Sequence, residues 1–274
     1  MPTEDPAQKN ALEPGPSQPR PAQGQRVWLG RTFFIVTLLV VWETLFRLKL
    51  WPDYLFPAPS EVLLTLLTGI GNRTFLVGIA GSLRRLAQGY VIALGVGLTL
   101  GLLMAQLRWL KETIGLLVLG LQTLPSICWL PLAILWFGLN ERAILFVVIM
   151  GAVMSIAQST EDGVRNTSPV YIRAARNLGA RGMRIYSAVI FPAALPSIVT
   201  GMKMGWAFAW RSLMAGELLY TLPGLGHLLN MGRELNDMSQ VVSVILVIIS
   251  IGLVSDKLVF GSIEKRVRGR WGLR

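Results

Sequence analysis

Between Arg85 and Arg108 lie 22 residues without a charged side chain, LAQGYVIALGVGLTLGLLMAQL. As an α-helix this run is about 33 Å long, enough to cross the hydrocarbon layer of a bilayer. No water reaches backbone groups at that depth, and a helix satisfies them internally. More such runs follow. Residues 113–140 are 28 without charge, long enough to span with a bend, and residues 143–160 are again uncharged between Arg142 and Glu161. A further helix is expected from Pro196 in its first turn to about Tyr220, and a last one over Met238–Ser255. The first apolar segment, Thr32–Phe46, is the weakest, because Glu43 interrupts it; Trp28 and Trp51 flank it as interface anchors. The expectation is an all-α membrane protein with about six transmembrane helices.

Composition agrees. The chain has 274 residues, 53% hydrophobic and 15% charged, with mean hydropathy +0.54, too apolar for a soluble domain. A net charge of +11 would suit a nucleic-acid partner in a soluble protein. In a membrane protein it marks cytoplasmic loops instead, so no nucleic acid is expected. With six spans and both termini inside, 17 Lys and Arg fall on the cytoplasmic side and 7 on the other, five of those in residues 46–89. The single cysteine, Cys128, allows no internal disulfide and no cysteine zinc site; in its apolar run it reads as a packed thiol.

Residues 1–27, rich in Pro, Gln, Ala and Gly, read as a disordered cytoplasmic tail without a signal peptide's apolar region. The stretch WPDYLFPAPS from Trp51 holds three prolines and reads as a loop. Ser60 with Glu61 then caps a short amphipathic helix, Val62–Leu67, at the membrane surface. Gly95, Gly97 and Gly101, and later Gly201 and Gly205, suit close helix packing. TLPGLG at 221–226 breaks the chain before a polar external region with a short helix.

Two places carry candidate function. The first is Tyr171–Pro196, with Arg173, Arg176, Arg181 and Arg184 between two apolar segments. Ala174 and Ala175, then Gly179, then Pro192 predict a small-residue helix, a glycine turn with φ > 0, a second short helix and a proline stop. Such a cationic hairpin is a cytoplasmic docking surface or an ordinary basic loop. The second is intramembrane. Pro125 and Pro131 kink the 113–140 run and free backbone carbonyls, so that this helix lines a path or merely packs. Lys203, Arg211 and Glu217 lie in the following long segment. Lys203 snorkels near the cytoplasmic end. Arg211, roughly 22 Å from Pro196, attracts an anion or pairs with Glu217 or another helix.

The loop resembles the "EAA" loop of permease subunits in binding-protein-dependent ABC importers. That motif runs Glu-Ala-Ala, three residues, Gly, nine residues, Ile-x-Leu-Pro. Ala174, Ala175, Gly179 and Pro192 hold their places, Val189 stands for Ile and Phe191 for Leu, and Arg173 replaces the Glu. PAPSEV at 57–62, QTLPSICWLPLAILWFGLNE and AGELLYTLPGLGHLL resemble the nitrate, sulfonate and taurine branch of that family. The resemblance covers roughly residues 30–270 and makes 28–274 an importer transmembrane domain in the inner membrane. It implies an ATPase-coupling loop at Arg173, Ala174, Ala175, Leu178, Gly179 and Pro192. It also implies a translocation path near Pro125, Trp129, Pro131, Arg211 and Glu217.

No Gly-x-x-x-x-Gly-Lys-Ser/Thr, nucleophile elbow, zinc pattern or flavin fingerprint is present, and His227 stands alone. The chain is therefore expected to hold no cofactor and not to be an enzyme. The resemblance places ATP and Mg in a separate cytoplasmic ATPase subunit. It also implies an extracytoplasmic substrate-binding protein, a second permease copy as a homodimer partner, and surrounding lipid. The substrate expected is a small anion of the nitrate, sulfonate, taurine or bicarbonate type. A stand-alone secondary transporter would need its own coupling site and often shows internal repeats, and no clear repeat is seen. A membrane scaffold that transports nothing is the other alternative.

Overall fold

The computed structural model describes residues 22–49, 52 and 55–270, and among them every regular element is helical. The chain divides into two units at Asp53. The first contributes α1, Ala22–Arg47, whose Arg47 pairs with Glu43 one turn away at 2.8 Å. Residues 1–21 of the expected tail, Trp51, the Trp28 side chain and residues 271–274 lie outside the described residues. Residues 22–27 are already helical.

The second unit holds nine helices among the described residues: α2 Pro59–Gly71, α3 Thr74–Gln106, α4 Arg108–Gln122, α5 Ser126–Phe137, α6 Glu141–Arg165, α7 Pro169–Asn177, α8 Met183–Glu217, α9 Leu225–Glu234 and α10 Met238–Val267. Four of them, α3, α6, α8 and α10, are long and apolar enough to cross a membrane. The α4–α5 pair makes a fifth if counted as one span, although it is bent by 105° at the break. The count is thus four or five among the described residues, where the sequence suggested six. The segment not among them is α1, whose described part carries Arg31, Glu43 and Arg47.

Helix α6 is the centre of the unit, clasped between α3 and α8. Gly97 and Gly101 of α3 lie so close to it that a Cβ at Gly101 would stand 2.4 Å from the Ala157 carbonyl oxygen. On the opposite side a Cβ at Gly201 would meet Ser159 at 2.3 Å, and one at Gly205 would meet Ile156 at 2.7 Å. Gly95, grouped with the packing glycines on sequence, faces open space instead. Lipid tails are as apolar as leucine, so the gain here is contact between close backbones rather than exclusion of water. Leu86, Ala93, Ile144, Val148, Ile156 and Leu213 fill the seam. Outward-facing Val91, Val96, Leu116, Leu117, Leu253 and Val254 stay uncovered, as lipid-facing residues would.

Several boundaries move. Helix α3 begins at Thr74, not after Arg85, and both arginines on it have carboxylate partners: Arg84 the partly exposed Glu141 and Arg85 the buried Glu217. Helix α2 starts at Pro59 in its first turn behind Ala58, so Ser60 lies within the helix and caps nothing. The sharp break falls at residues 123–125, whereas Pro131 sits harmlessly in the first turn of the α-helical part of α5. Cys128, expected to pack, is exposed on the 3₁₀ turn that follows the break.

The largest revision concerns the segment after Gly179. No separate second short helix stops at Pro192. Met183–Glu217 is continuous, with a π-helical stretch at Tyr186–Ile190 just ahead of Pro192. The wider turn relieves the clash that proline makes with the preceding carbonyls. Pro196 is likewise interior rather than in a first turn. Similar π stretches at Lys111–Gly115 and Asp256–Phe260 carry α4 and α10 through charged residues where the apolar runs end.

Candidate functional site

The basic loop is compact and bare. Ser168 caps α7, its hydroxyl accepting from the Val170 N–H at 3.4 Å, and Pro169 occupies the first turn. The helix ends at Leu178, and Gly179 takes φ +84°, the left-handed turn its position suggested. The Ala180 N–H returns to the Ala175 carbonyl at 2.9 Å, and Gly182 gives a second positive φ of 54° before α8. Ala175 is buried, whereas Leu178 is 89% and Met183 79% exposed. Arg173, Arg176, Arg181 and Arg184 are exposed, and none has an ion pair or hydrogen bond among the described residues. Pro192 lies more than two turns into α8 and is half-buried.

The nearby ends of α4 and α6 use charge differently. Glu161, nearly buried, receives Lys111 at 2.7 Å and Arg165 at 3.3 Å. These pairs fix the floor from which the loop projects.

The proposed path residues separate into two groups. Pro125, Trp129 and Arg211 line one cleft of about 440 Å³ between the α4–α5 break, α6 and α8. Trp129 meets the Phe146 ring edge-on at 6.3 Å. Arg211 also lines a second cleft, of about 520 Å³, between α8 and α10, together with Lys203, Asp256 and Glu264. Its guanidinium carbon sits 5.2 Å from the centre of the Phe208 ring, within cation–π range. Pro131 lies exposed on α5, and Glu217 is buried elsewhere.

Glu217 is 1% exposed and fully engaged. One oxygen accepts from Arg85 Nη1 at 2.6 Å; the other accepts from Ser82 Oγ at 2.7 Å and the Gly226 N–H at 3.0 Å. Arg85 also donates to the Pro223 carbonyl at 2.9 Å, and Ser82 Oγ accepts from the Leu225 N–H at 2.9 Å. A Cβ at Gly224 would stand 2.6 Å from the carboxylate, so the glycines of TLPGLG exist to let it in. Arg84 reaches Glu141 at 2.6 Å alongside. Glu217 thus pairs with Arg85, not Arg211. The sequence offered no sign of this, since the partners lie 132 residues apart.

Among the described residues no group of three or more His, Cys, Asp or Glu could hold a metal. A long-helix bundle with a broken span, an exposed loop and intramembrane clefts defines a helical membrane transport domain. Residues 97–269 match the family described as binding-protein-dependent transport system inner membrane component. The taurine transport system permease protein TauC of Escherichia coli is 31% identical over 205 residues, 73% of this chain and 74% of that one. The bicarbonate transport system permease protein CmpB of Synechococcus elongatus is 31% identical over 179 residues, 65% of this chain and 64% of its own length. In fold, a chain of the inward-facing MetNI methionine ABC transporter superposes with a TM-score of 0.58 at 19% identity, over 71% of this chain and 96% of that one. The chain belongs to the family of binding-protein-dependent transport system inner membrane components, the permease subunits of ABC importers, and groups with the nitrate, sulfonate and taurine branch.

Proposed function

We propose that this chain forms one half of a translocation path for a small anion and takes its energy from a separate ATPase docked on the Pro169–Arg184 loop. The observation that carries the coupling role is the bare cationic helix α7 with its αL turn at Gly179, presented beside the long helix α8. Four guanidinium groups without a partner among the described residues suit an acidic docking groove, and an exposed Leu178 supplies an apolar contact. Arg173 stands where a Glu is usual, so the partner face would carry the opposite charge there.

The names of the relatives, taurine and bicarbonate permeases, support an anionic substrate. Membership of the family supports the remaining parts of the proposed assembly. A second copy completes the path as a homodimer in the membrane lipid, and an extracytoplasmic binding protein delivers the substrate. ATP and Mg are held by the ATPase, and this chain holds no cofactor and is not itself an enzyme. Both termini are cytoplasmic, with α1 supplying the sixth crossing in the inner membrane.

The test is a pull-down of detergent-solubilised protein with the Gly179→Asp variant alongside. The expected result is an ATPase subunit that co-purifies with the wild type and is released by the substitution. An absence of any ATPase under mild extraction would overturn the coupling role and turn attention to gradient-driven uptake in liposomes.

A further inference from the structure

A charge inside a membrane protein is costly, and it is held there by a partner of opposite sign or by function. Among the described residues, four basic side chains lie more than a turn inside α3 and α8: Arg84, Arg85, Lys203 and Arg211. Three have carboxylates. Arg84 faces Glu141, Arg85 faces Glu217, and Lys203 reaches Asp256 at 3.0 Å with Glu264 at 3.9 Å. Arg211 has no ion pair or hydrogen bond among the described residues; only the face of Phe208 steadies it.

The surroundings of Arg211 point the same way. Among the described residues, Arg211 is the one charged side chain that lines the 440 Å³ cleft. Its polar lining consists of Gln122, Thr123, Ser126 and Ser155, groups that donate hydrogen bonds without adding charge. The volume falls in the range of small-molecule sites. A guanidinium fork presents parallel N–H donors that match two oxygens of one anion. The cleft on the other side of Arg211 holds Lys203, already occupied by two carboxylates that would repel an incoming anion.

We propose that Arg211 is the anion-binding residue of this chain, holding a small oxyanion such as a sulfonate against Phe208 in the cleft beside the α4–α5 break. This inference rests on the transport reading above and adds the residue and the ligand chemistry. Lys203 is not part of the site; it ties α8 to α10.

The test uses the full chain in lipid nanodiscs, without ATPase or binding protein. Tryptophan fluorescence, with Trp129 in the cleft lining, is titrated with methanesulfonate, sulfate and nitrate at constant ionic strength. At least one anion is expected to saturate the wild type. Arg211→Gln weakens it by about ten-fold or more, and Arg211→Lys, which keeps the charge and loses the fork, recovers part of the loss. Lys203→Gln stays within about two-fold of wild type, since that side chain is already paired. If none of the three anions saturates the wild type, or if Arg211→Gln binds as the wild type does, the proposal is overturned. The assay is independent of docking. Loss of the ATPase in the pull-down with intact Arg211-dependent binding sinks the coupling role alone, and the converse sinks the anion site alone.

Discussion

The corner around Glu217 and the loop around Gly179 each gather four charged side chains, and they use them in opposite ways. At the corner, Arg84, Arg85, Glu141 and Glu217 are all paired with one another, and Ser82 and the Gly226 N–H satisfy what remains of Glu217. In the loop, Arg173, Arg176, Arg181 and Arg184 have no ion pair or hydrogen bond among the described residues. The corner uses charge to fix α3, α8 and the TLPGLG turn in one arrangement. The loop keeps its charge exposed, as the proposed docking role requires. Whether a charge is already answered within the chain therefore separates architecture from recognition better than its position along the sequence does. Arg211, deep in α8, shares the loop's lack of an ion pair among the described residues, which is the ground for the anion site proposed above.

The comparison breaks if the corner tolerates loss of its carboxylate. Glu217→Ala leaves Arg85 buried without its main partner and should cost about 3–5 kcal/mol, read from the denaturant midpoint of the purified protein. Replacing both partners, Arg85→Met with Glu217→Leu, should recover most of it, because an uncharged pair needs no answering charge. Next in size is the glycine seam. Gly101→Val places side-chain atoms against the Ala157 carbonyl, already 2.4 Å from a Cβ, and should lower stability by about 1–3 kcal/mol in the same measurement. Gly179→Ala meets no atom within 4 Å, so its cost is that of the φ +84° backbone alone, about 1–2 kcal/mol. A loss much larger than that would show the turn to be packed in a way the loop's exposure does not suggest.

Smaller effects sharpen the division. Lys203→Gln removes a half-exposed bridge and should cost about 0.2–1 kcal/mol by thermal unfolding in nanodiscs. Arg176→Gln should leave stability within about 0.5 kcal/mol and yet weaken ATPase capture in the pull-down. If Arg176→Gln destabilised the chain as much as Glu217→Ala, the loop would be architecture too.

Much of this was legible before any coordinates. The uncharged runs announced α3, α6 and α10, the Ala-Ala and Gly179 spacing announced α7 and its turn, and the motif resemblance announced the family. What stayed hidden has two physical causes. On sequence, charged residues mark the edges of membrane helices, yet Arg84 and Arg85 lie within α3 with Glu141 and Glu217 as partners, and pairing across 57 and 132 residues leaves no local trace. Prolines and charges likewise predict helix stops. At Tyr186–Ile190 and Asp256–Phe260 a π turn absorbs the irregularity and the helix runs on, as it does through Lys111–Gly115 in α4. The bend at Pro125 was foreseen in kind but not in degree, since a 105° turn depends on α6 and α8 being there to receive both halves.

The continuity of α8 has one more consequence. Arg211 stands 28 residues along the same helix from Met183, so the rod joining loop and cleft is about 42 Å long. A rod of that length is a lever arm. Tilting it about one end by roughly 5° would sweep the other end through about 4 Å, more than the width of a small anion's oxygen. Under the proposed function, movement of the loop end would thereby be carried to Arg211 by the helix itself.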